Sequence, residues 1–306
     1  MLKNALYGGV NAAVLTPMKA DLSVDLDLMA AHCRWLLANG CNGLAVLGTT
    51  GEANSLGISE RIALLEGLVE RGIPAAKMIP GTGTTALPDT VQLTKAADRL
   101  GCRGALLLPP FYYKEPSDDG LLAYFNEVVQ RVAGNIKLYL YNFPRQSAIP
   151  FSVEFISRLL AQNPGKFQGV KDSSGNYENG MGYIEAFAKD GFEVYAGDDT
   201  LMKPFLEKGG AGCITAAGNV NSAVAAQVYA NPNSPAGEAA NVIMSATRKA
   251  VISVPMIPAL KVLVARNTGN PQWENVRPPH LKLTAAQKAQ LFATFDACGM
   301  ELPKAA

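Results

Sequence analysis

The sequence is poor in histidine and has no cysteine pair at C-x-x-C spacing. Among its 306 residues there are only two histidines. A histidine-ligated metal site needs several imidazoles, so we expect no bound metal, and no motif calls for a cofactor. The cysteine count is five, an odd number, which is typical of a reduced cytoplasmic protein rather than of one stabilised by disulfides.

The sequence also lacks an excess of one charge and a long apolar run. Its 27 basic and 26 acidic residues are interspersed, so nothing predicts a nucleic-acid or membrane-surface partner. No apolar stretch approaches the length that spans a bilayer. The first residues, Met1 to Asn4, lead into a short apolar run broken by Gly8 and Gly9, which does not resemble a signal peptide. We therefore expect a cytoplasmic protein that binds neither membrane nor nucleic acid.

Short apolar runs alternate with amphipathic helical patterns along most of the chain. Eight of the runs read as buried parallel strands: Gly9–Leu15, Gly43–Leu47, Ala76–Pro80, Gly104–Leu108, Lys137–Tyr141, Phe167–Lys171, Phe192–Ala196 and Gly212–Thr215. Eight βα units predict an α/β fold, a (β/α)₈ or TIM barrel, with a doubly wound open sheet as the alternative. We expect the barrel and its active site in residues 1–218, and a C-terminal helical appendage packed on it in residues 219–306.

Active sites of such barrels lie at the carboxyl ends of the strands, and one predicted strand ends at Lys171. Burial disfavours the charged lysine and lowers its pKa, which frees the amine to attack a ketone and form an imine. The preceding strand ends at Tyr141, whose hydroxyl is placed to transfer protons near that amine. The alternatives are that Lys171 pairs with Asp172 at the rim of the barrel and that Tyr141 only packs.

The second predicted strand, Gly43–Leu47, is followed by the turn Gly48–Glu52, with the sequence GTTGE. Backbone N–H groups in such a turn can hold a carboxylate, and the hydroxyls of Thr49 and Thr50 can add hydrogen bonds or relay a proton. A plain glycine-rich turn is the alternative. Asp198 and Asp199 follow the seventh strand and would repel a phosphate, so we expect an unphosphorylated acid as substrate.

These strand ends resemble those of the dihydrodipicolinate synthase / N-acetylneuraminate lyase family of class I aldolases. The resemblance covers nearly the whole chain. It rests on four segments in the same order, each at a strand end: Gly48–Glu52, Tyr141–Pro144, Gly169–Gly175 and Ala196–Asp199. It implies a TIM barrel, catalysis without a cofactor, and a homo-oligomer, commonly a tetramer built as a dimer of dimers.

The resemblance also implies roles for the matched residues. Lys171 would form the Schiff base, and Tyr141 would transfer protons. Thr49 and Thr50 would bind the carboxylate of pyruvate, with Thr49 in a hydroxyl relay to Tyr141. Tyr112 would be the tyrosine that is lent to the site of a neighbouring subunit.

Other matched positions would contact the substrate, and here the chain departs from parts of the family. Gly48 and Ile214 would line the site, Ile214 through its backbone. The lysine-biosynthesis synthases carry an arginine two residues after the proline of their Tyr-Asn-x-Pro segment, where this chain has Gln146, with Arg145 one residue earlier. A shifted arginine need not make the same bidentate contact with a carboxylate, which disfavours the synthase activity. The sialic-acid lyases typically have GSTGE at the Gly48 turn, which disfavours that activity too.

The hypothesis that follows is a lyase that releases pyruvate from a hydroxylated 2-oxo acid, such as a 2-oxo-3-deoxy sugar acid. The same residues would catalyse the reverse condensation. The alternatives are a Schiff-base dehydratase, a 4-hydroxy-tetrahydrodipicolinate synthase that condenses pyruvate with aspartate semialdehyde, and a non-catalytic paralogue that binds a 2-oxo acid.

Overall fold

The computed structural model describes residues 4–304. Met1 to Lys3, part of the start for which no signal peptide is expected, lie outside the described residues, as do Ala305 and Ala306. Among the described residues no single helix is long and apolar enough to cross a membrane. Only two consecutive helices taken together, Pro235–Val251 and Met256–Thr268, reach that length and hydropathy, and they are bent by 113° at the break between them.

Seven parallel strands form one sheet in the order β2-β1-β7-β6-β5-β4-β3. Each lies at a position predicted from the sequence, and nearly all of their residues are buried, as strands covered on both faces must be. The strands are β1 (Gly9–Ala13), β2 (Gly43–Ala45), β3 (Gly104–Leu107), β4 (Lys137–Asn142), β5 (Phe167–Asp172), β6 (Glu193–Ala196) and β7 (Gly212–Thr215).

The remaining predicted strand, Ala76–Pro80, is not a regular strand, but it fills the gap between β2 and β3. The N–H of Ile79 donates to the carbonyl of Leu44 in β2 (2.9 Å), and the N–H of Leu106 in β3 donates to the carbonyl of Pro80 (2.8 Å). Pro80 has no N–H, so the ladder towards β3 is interrupted there. The barrel is therefore closed by hydrogen bonds with one irregular position, and the open doubly wound sheet is wrong.

Helices surround the barrel and follow it at the C-terminal end. Their bounds are α1 (Leu26–Ala38), α2 (Ile58–Glu70), α3 (Leu87–Arg99), α4 (Asp118–Val132), α5 (Pro144–Ser147), α6 (Val153–Gln162), α7 (Tyr177–Phe187), α8 (Met202–Glu207), α9 (Gly218–Ala230), α10 (Pro235–Val251), α11 (Met256–Thr268) and α12 (Ala285–Asp296). Helix α9 packs on β1 and β7. The division of the chain at residue 218 stays a prediction.

Helix α1 shows how the sequence forms these elements. Asp25 caps its start, because the side-chain oxygen accepts a hydrogen bond from the N–H of Leu28 (3.0 Å). Met29, Cys33 and Leu36 recur at helical spacing and are fully buried against the barrel. Burying one such side chain contributes about 1.5–3 kcal/mol, so the apolar face holds the helix in place.

The apolar core has an inner and an outer layer. The inner cluster fills the barrel and includes Tyr139 and Tyr141 of β4 together with Ile214 of β7. The outer cluster lies between the strands and the helices. The alternation of side chains along a strand explains why Tyr139 and Tyr141 share the inner face, as the sequence predicts. Tyr141 therefore lies in the inner layer at the carboxyl end of the barrel.

Candidate active site

Lys171 and Tyr141 lie side by side at the carboxyl ends of β5 and β4. They are paired in the strand register, and they are only 5% and 4% exposed, respectively. The Nζ atom of Lys171 lies 4.1 Å from the centroid of the Tyr141 ring. That ring stacks in turn on Phe143, with centroids 5.6 Å apart. The predicted proximity of lysine and tyrosine is thus present, and packing holds both side chains in place.

Asp172 follows Lys171 but lies on the other face of β5, as the alternation of a strand requires. Its carboxylate accepts hydrogen bonds from Asn142 Nδ2 (2.8 Å), from the N–H of Ser174 (3.1 Å) and from Ser174 Oγ (3.0 Å). Lys171 forms no ion pair with any residue that the structure describes. The alternative of a Lys171–Asp172 pair at the rim is therefore wrong, and the amine stays without a counter-charge inside the barrel.

The turn Gly48–Glu52 follows β2 and brings its hydroxyls to the same end of the barrel. The Oγ1 atom of Thr49 lies 3.4 Å from the hydroxyl of Tyr141. Thr50 is buried. The carbonyl of Gly51 accepts a hydrogen bond from Thr16 Oγ1 (2.7 Å), which ties the turn to the segment after β1. One hydroxyl chain therefore runs from Thr49 to Tyr141, beside the amine of Lys171.

A narrow cavity opens at these residues. Its walls come from the turn after β2, from the irregular third strand, from the end of β3 and from helix α2. The lining includes Gly48, Thr49, Tyr141, Asn54, Arg61 and Gly81. Ile214 is fully buried and belongs to the inner cluster that also contains Tyr141. The cavity thus reaches both residues of the hydroxyl chain, Thr49 and Tyr141.

Three other predicted site residues lie on the surface of the single chain. Arg145 and Gln146 belong to the short helix α5 and are exposed. Tyr112 lies in the loop between β3 and α4 with 72% of its surface exposed. Its ring stands edge-on to that of Tyr113, with centroids 5.4 Å apart. The structure therefore brings together Lys171, Tyr141 and Thr49, whereas among the described residues these three make no hydrogen bond, ion pair or ring contact with them.

Asp198 and Asp199, which follow β6, have partners of their own. Asp199 is fully buried and accepts hydrogen bonds from Thr215 Oγ1 and from Asn221 Nδ2, the latter at 2.7 Å. Burial raises the pKa of Asp199, and the nearby guanidinium of Arg248 opposes that rise. Asp198 pairs with Arg248 at 3.4 Å. In this segment of the sequence resemblance, the two aspartates thus bind residues of β7, α9 and α10.

Sequence reasoning missed the partners of Glu52, the last residue of the threonine turn. Glu52 is buried and forms an ion pair with Lys261 of helix α11, and both side chains are fully buried. The two residues are 209 positions apart, so no local pattern links them. A lysine inside the apolar run of residues 256–265 in α11 is the one signal that the sequence offers.

A closed parallel barrel with a buried amine and a tyrosine at its carboxyl end has the architecture of a barrel enzyme. The sequence matches the Dihydrodipicolinate synthetase family over residues 6–298. It is 34% identical over 292 residues to an uncharacterized DapA-like lyase of Chloroflexus aurantiacus, covering 94% of this chain and 96% of that one. It is 32% identical to the 4-hydroxy-tetrahydrodipicolinate synthase of Bacillus subtilis, covering 95% and 99%.

Solved structures agree. The dihydrodipicolinate synthase of Agrobacterium tumefaciens superposes with a TM-score of 0.88 at 32% identity, covering 95% of this chain and 99% of that one. YagE, a prophage protein of Escherichia coli solved in complex with pyruvate, also gives 0.88, at 26% identity and with 96% and 99% covered. This chain belongs to the dihydrodipicolinate synthetase family and is a lyase of the class I aldolase type. The predicted resemblance and fold class are confirmed.

Proposed function

We propose that the protein forms an imine between Lys171 and pyruvate or a related 2-oxo acid, and that it cleaves or forms a hydroxylated 2-oxo acid such as a 2-oxo-3-deoxy sugar acid. The observation that carries the proposal is the amine of Lys171, which is buried without a counter-charge and lies 4.1 Å from the Tyr141 ring. A buried amine with no carboxylate partner is suited to act as a nucleophile.

The steps follow from this arrangement. The Nζ atom of Lys171 attacks C2 of the substrate, and loss of water gives the protonated imine. Tyr141 supplies the proton that leaves with this water, and its phenolate then takes the proton of the C4 hydroxyl. The C3–C4 bond breaks, its electron pair moves into the imine to form an enamine, and the C4 fragment leaves as an aldehyde. Protonation at C3 and hydrolysis release pyruvate and restore the amine. The 3.4 Å contact of Thr49 with Tyr141 supports a relay for the proton.

The carboxylate of the 2-oxo acid is assigned to the turn after β2. Gly48, Thr49 and Thr50 offer backbone N–H groups and hydroxyls there, and the backbone of Ile214 would line the opposite side. A carboxylate held by several such donors is stabilised without a neighbouring arginine. The substrate is thereby oriented with C2 towards Lys171.

The far end of the substrate is assigned to α5 and to a second copy of the chain. Arg145 and Gln146 are exposed at the start of that helix and would contact the aldehyde part. Most of the Tyr112 side chain is exposed and not buried by its own chain. It would therefore complete the site of a neighbouring subunit in a homo-oligomer, which would be a tetramer or a dimer. The cytoplasmic location and catalysis without metal or cofactor also stay predictions.

A second candidate is the synthase reaction with aspartate semialdehyde. It is favoured by the names of relatives such as the synthase of Bacillus subtilis, and it is disfavoured by Gln146 at the position of the expected arginine. A dehydratase would keep the imine and eliminate water. Product analysis separates these reactions, because they yield free pyruvate, a cyclised product or a dehydrated 2-oxo acid, respectively.

The test is reductive trapping. The protein is incubated with pyruvate and borohydride, and the intact mass and the peptide map are measured. One reduced pyruvyl group on Lys171 is expected in the wild type and in the control variant Lys166→Met, whose lysine precedes β5 and bonds to the carbonyl of Gly134. No adduct is expected in Lys171→Met. A folded wild-type protein without an adduct, or with the adduct on another lysine, would refute the imine.

A further inference from the structure

The turn that carries Thr49 is bounded by two strained residues. Leu47 and Glu52 both adopt the left-handed backbone conformation, with φ of 57° and 55°. Residues other than glycine avoid this region, and they remain in it only where the surrounding structure holds them. The conformation of the turn is therefore imposed from outside its own sequence.

The external contact is made through the Glu52 side chain. One carboxylate oxygen accepts a hydrogen bond from Lys261 Nζ, and the other accepts the N–H of Arg277 (2.9 Å). Lys261 Nζ also donates to the carbonyl of Asn275 (2.7 Å). Glu52 and Lys261 have no exposed side-chain surface, so solvent does not screen their attraction. Burial lowers the pKa of Lys261, and Glu52 opposes that effect.

Arg277 is itself held firmly, which makes it a fixed donor for Glu52. Its guanidinium donates to the carbonyl of Leu22 (2.9 Å), to the carbonyl of Ser55 (2.7 Å) and to the carboxylate of Glu60 (2.5 Å). Two residues from the C-terminal part of the chain, Lys261 and Arg277, thus hold the end of the turn and the segment that follows it by hydrogen bonds.

These hydrogen bonds matter for the site because the contact between the hydroxyls of Thr49 and Tyr141 is long. Thr49 precedes Glu52 by three residues, and its hydroxyl meets that of Tyr141 at 3.4 Å, near the limit for a hydrogen bond. A small movement of the turn would break it. We propose that Lys261 is a positioning residue for the 2-oxo acid site, because through Glu52 it holds the turn so that Thr49 meets Tyr141 and the substrate carboxylate finds its donors. This inference rests on the proposed function.

The test compares three variants with the wild type. Lys261→Met removes the cation and leaves the buried Glu52 carboxylate with only the hydrogen bond from the N–H of Arg277. Lys261→Met/Glu52→Gln also removes the uncompensated buried charge, which restores stability but not the contact with the position of Lys261 in α11. Leu291→Ala opens a cavity in the same C-terminal core, where Leu291 is fully buried in α12. The measurements are the urea midpoint and the pyruvate concentration that gives half-maximal trapping on Lys171.

Lys261→Met is expected to lower the urea midpoint and to raise the half-saturating pyruvate concentration by about tenfold or more, because misplacement of a binding turn by a fraction of an ångström is costly. The double variant should regain much of the midpoint while its half-saturating concentration stays raised. Leu291→Ala should lose stability and keep the wild-type concentration within about twofold. Recovery of binding together with stability in the double variant would show that Lys261 only stabilises the fold.

The remaining outcomes also support or overturn the positioning role of Lys261. If Lys261→Met does not fold, the half-saturating pyruvate concentration of the double variant is compared with that of the wild type instead. If that variant also does not fold, Glu52→Gln takes its place, because it keeps the shape of the side chain and should raise the half-saturating concentration above the wild-type value. A rise in Leu291→Ala equal to that in Lys261→Met would overturn the inference. A wild-type protein that forms no adduct removes the proposed function as well, whereas a wild-type adduct with unaffected variants removes the positioning role alone.

Discussion

Tyr141→Phe removes a single oxygen atom from the proposed site. The ring keeps its stacking on Phe143 and its place 4.1 Å from Lys171 Nζ. The lost contact is one hydrogen bond of 3.4 Å to Thr49, so the free energy of unfolding should change by less than about 1 kcal/mol. Proton transfer by a positioned group contributes about 10²–10⁴-fold in rate. We expect kcat to fall by about 100-fold or more, which is about 3 kcal/mol in the barrier, while stability barely changes.

Tyr139→Phe is the matched control, since it makes the same change two residues earlier on the same face of β4. The Tyr139 hydroxyl donates to Glu193 Oε2 (2.9 Å) at the other end of the barrel. Its loss should leave kcat near the wild-type value and cost about 1–3 kcal/mol of stability, because a buried carboxylate loses a donor. The assays are pyruvate release from the 2-oxo acid that the wild type cleaves, and urea unfolding. A kcat of Tyr141→Phe within tenfold of the wild type would refute its role as the proton carrier.

Two further predictions concern the oligomer and the pH dependence of stability. Tyr112→Ala should lower kcat by about 10²-fold, whereas Tyr113→Ala, equally exposed beside it, should not; equal effects would mean that Tyr112 only packs at an interface. Burial lowers the pKa of His32 to about 4, and its hydrogen bond with Asn219 partly opposes this. Because the folded value lies below the unfolded one, full stability is present above about pH 6.5 and is lost as the pH falls towards 4, by about 3 kcal/mol. Urea unfolding at pH 7 and pH 4 should show this extra loss relative to His32→Gln; parallel losses would contradict it.

The positions of the strands and of the paired residues follow from the sequence because local patterns encode them. Each apolar run between two amphipathic helices has to be buried on both faces, which places Lys171 and Tyr141 at strand ends. The third strand, Ala76–Pro80, is predicted at the right position but not as irregular, although Pro80 ends the predicted run and cannot donate to the ladder. The ion pair of Glu52 with Lys261 joins residues 209 positions apart, and no periodicity reports such a contact.

The alignment of Tyr141 with Lys171 depends on an irregularity that strand periodicity does not reveal. Leu138 pairs with Phe167, whereas the next residue of β4, Tyr139, pairs with Gly169, so Gln168 is an extra residue in β5. If Gln168 instead paired with Tyr139 in a regular ladder, Tyr141 would pair with Val170, whose side chain lies on the opposite face of the sheet. The bulge also needs Gly169, because a Cβ atom there would lie 2.2 Å from the carbonyl oxygen of Glu193 in β6. The imine chemistry proposed for this barrel thus depends on two residues, Gln168 and Gly169, that set the register of β5 from outside the substrate cavity.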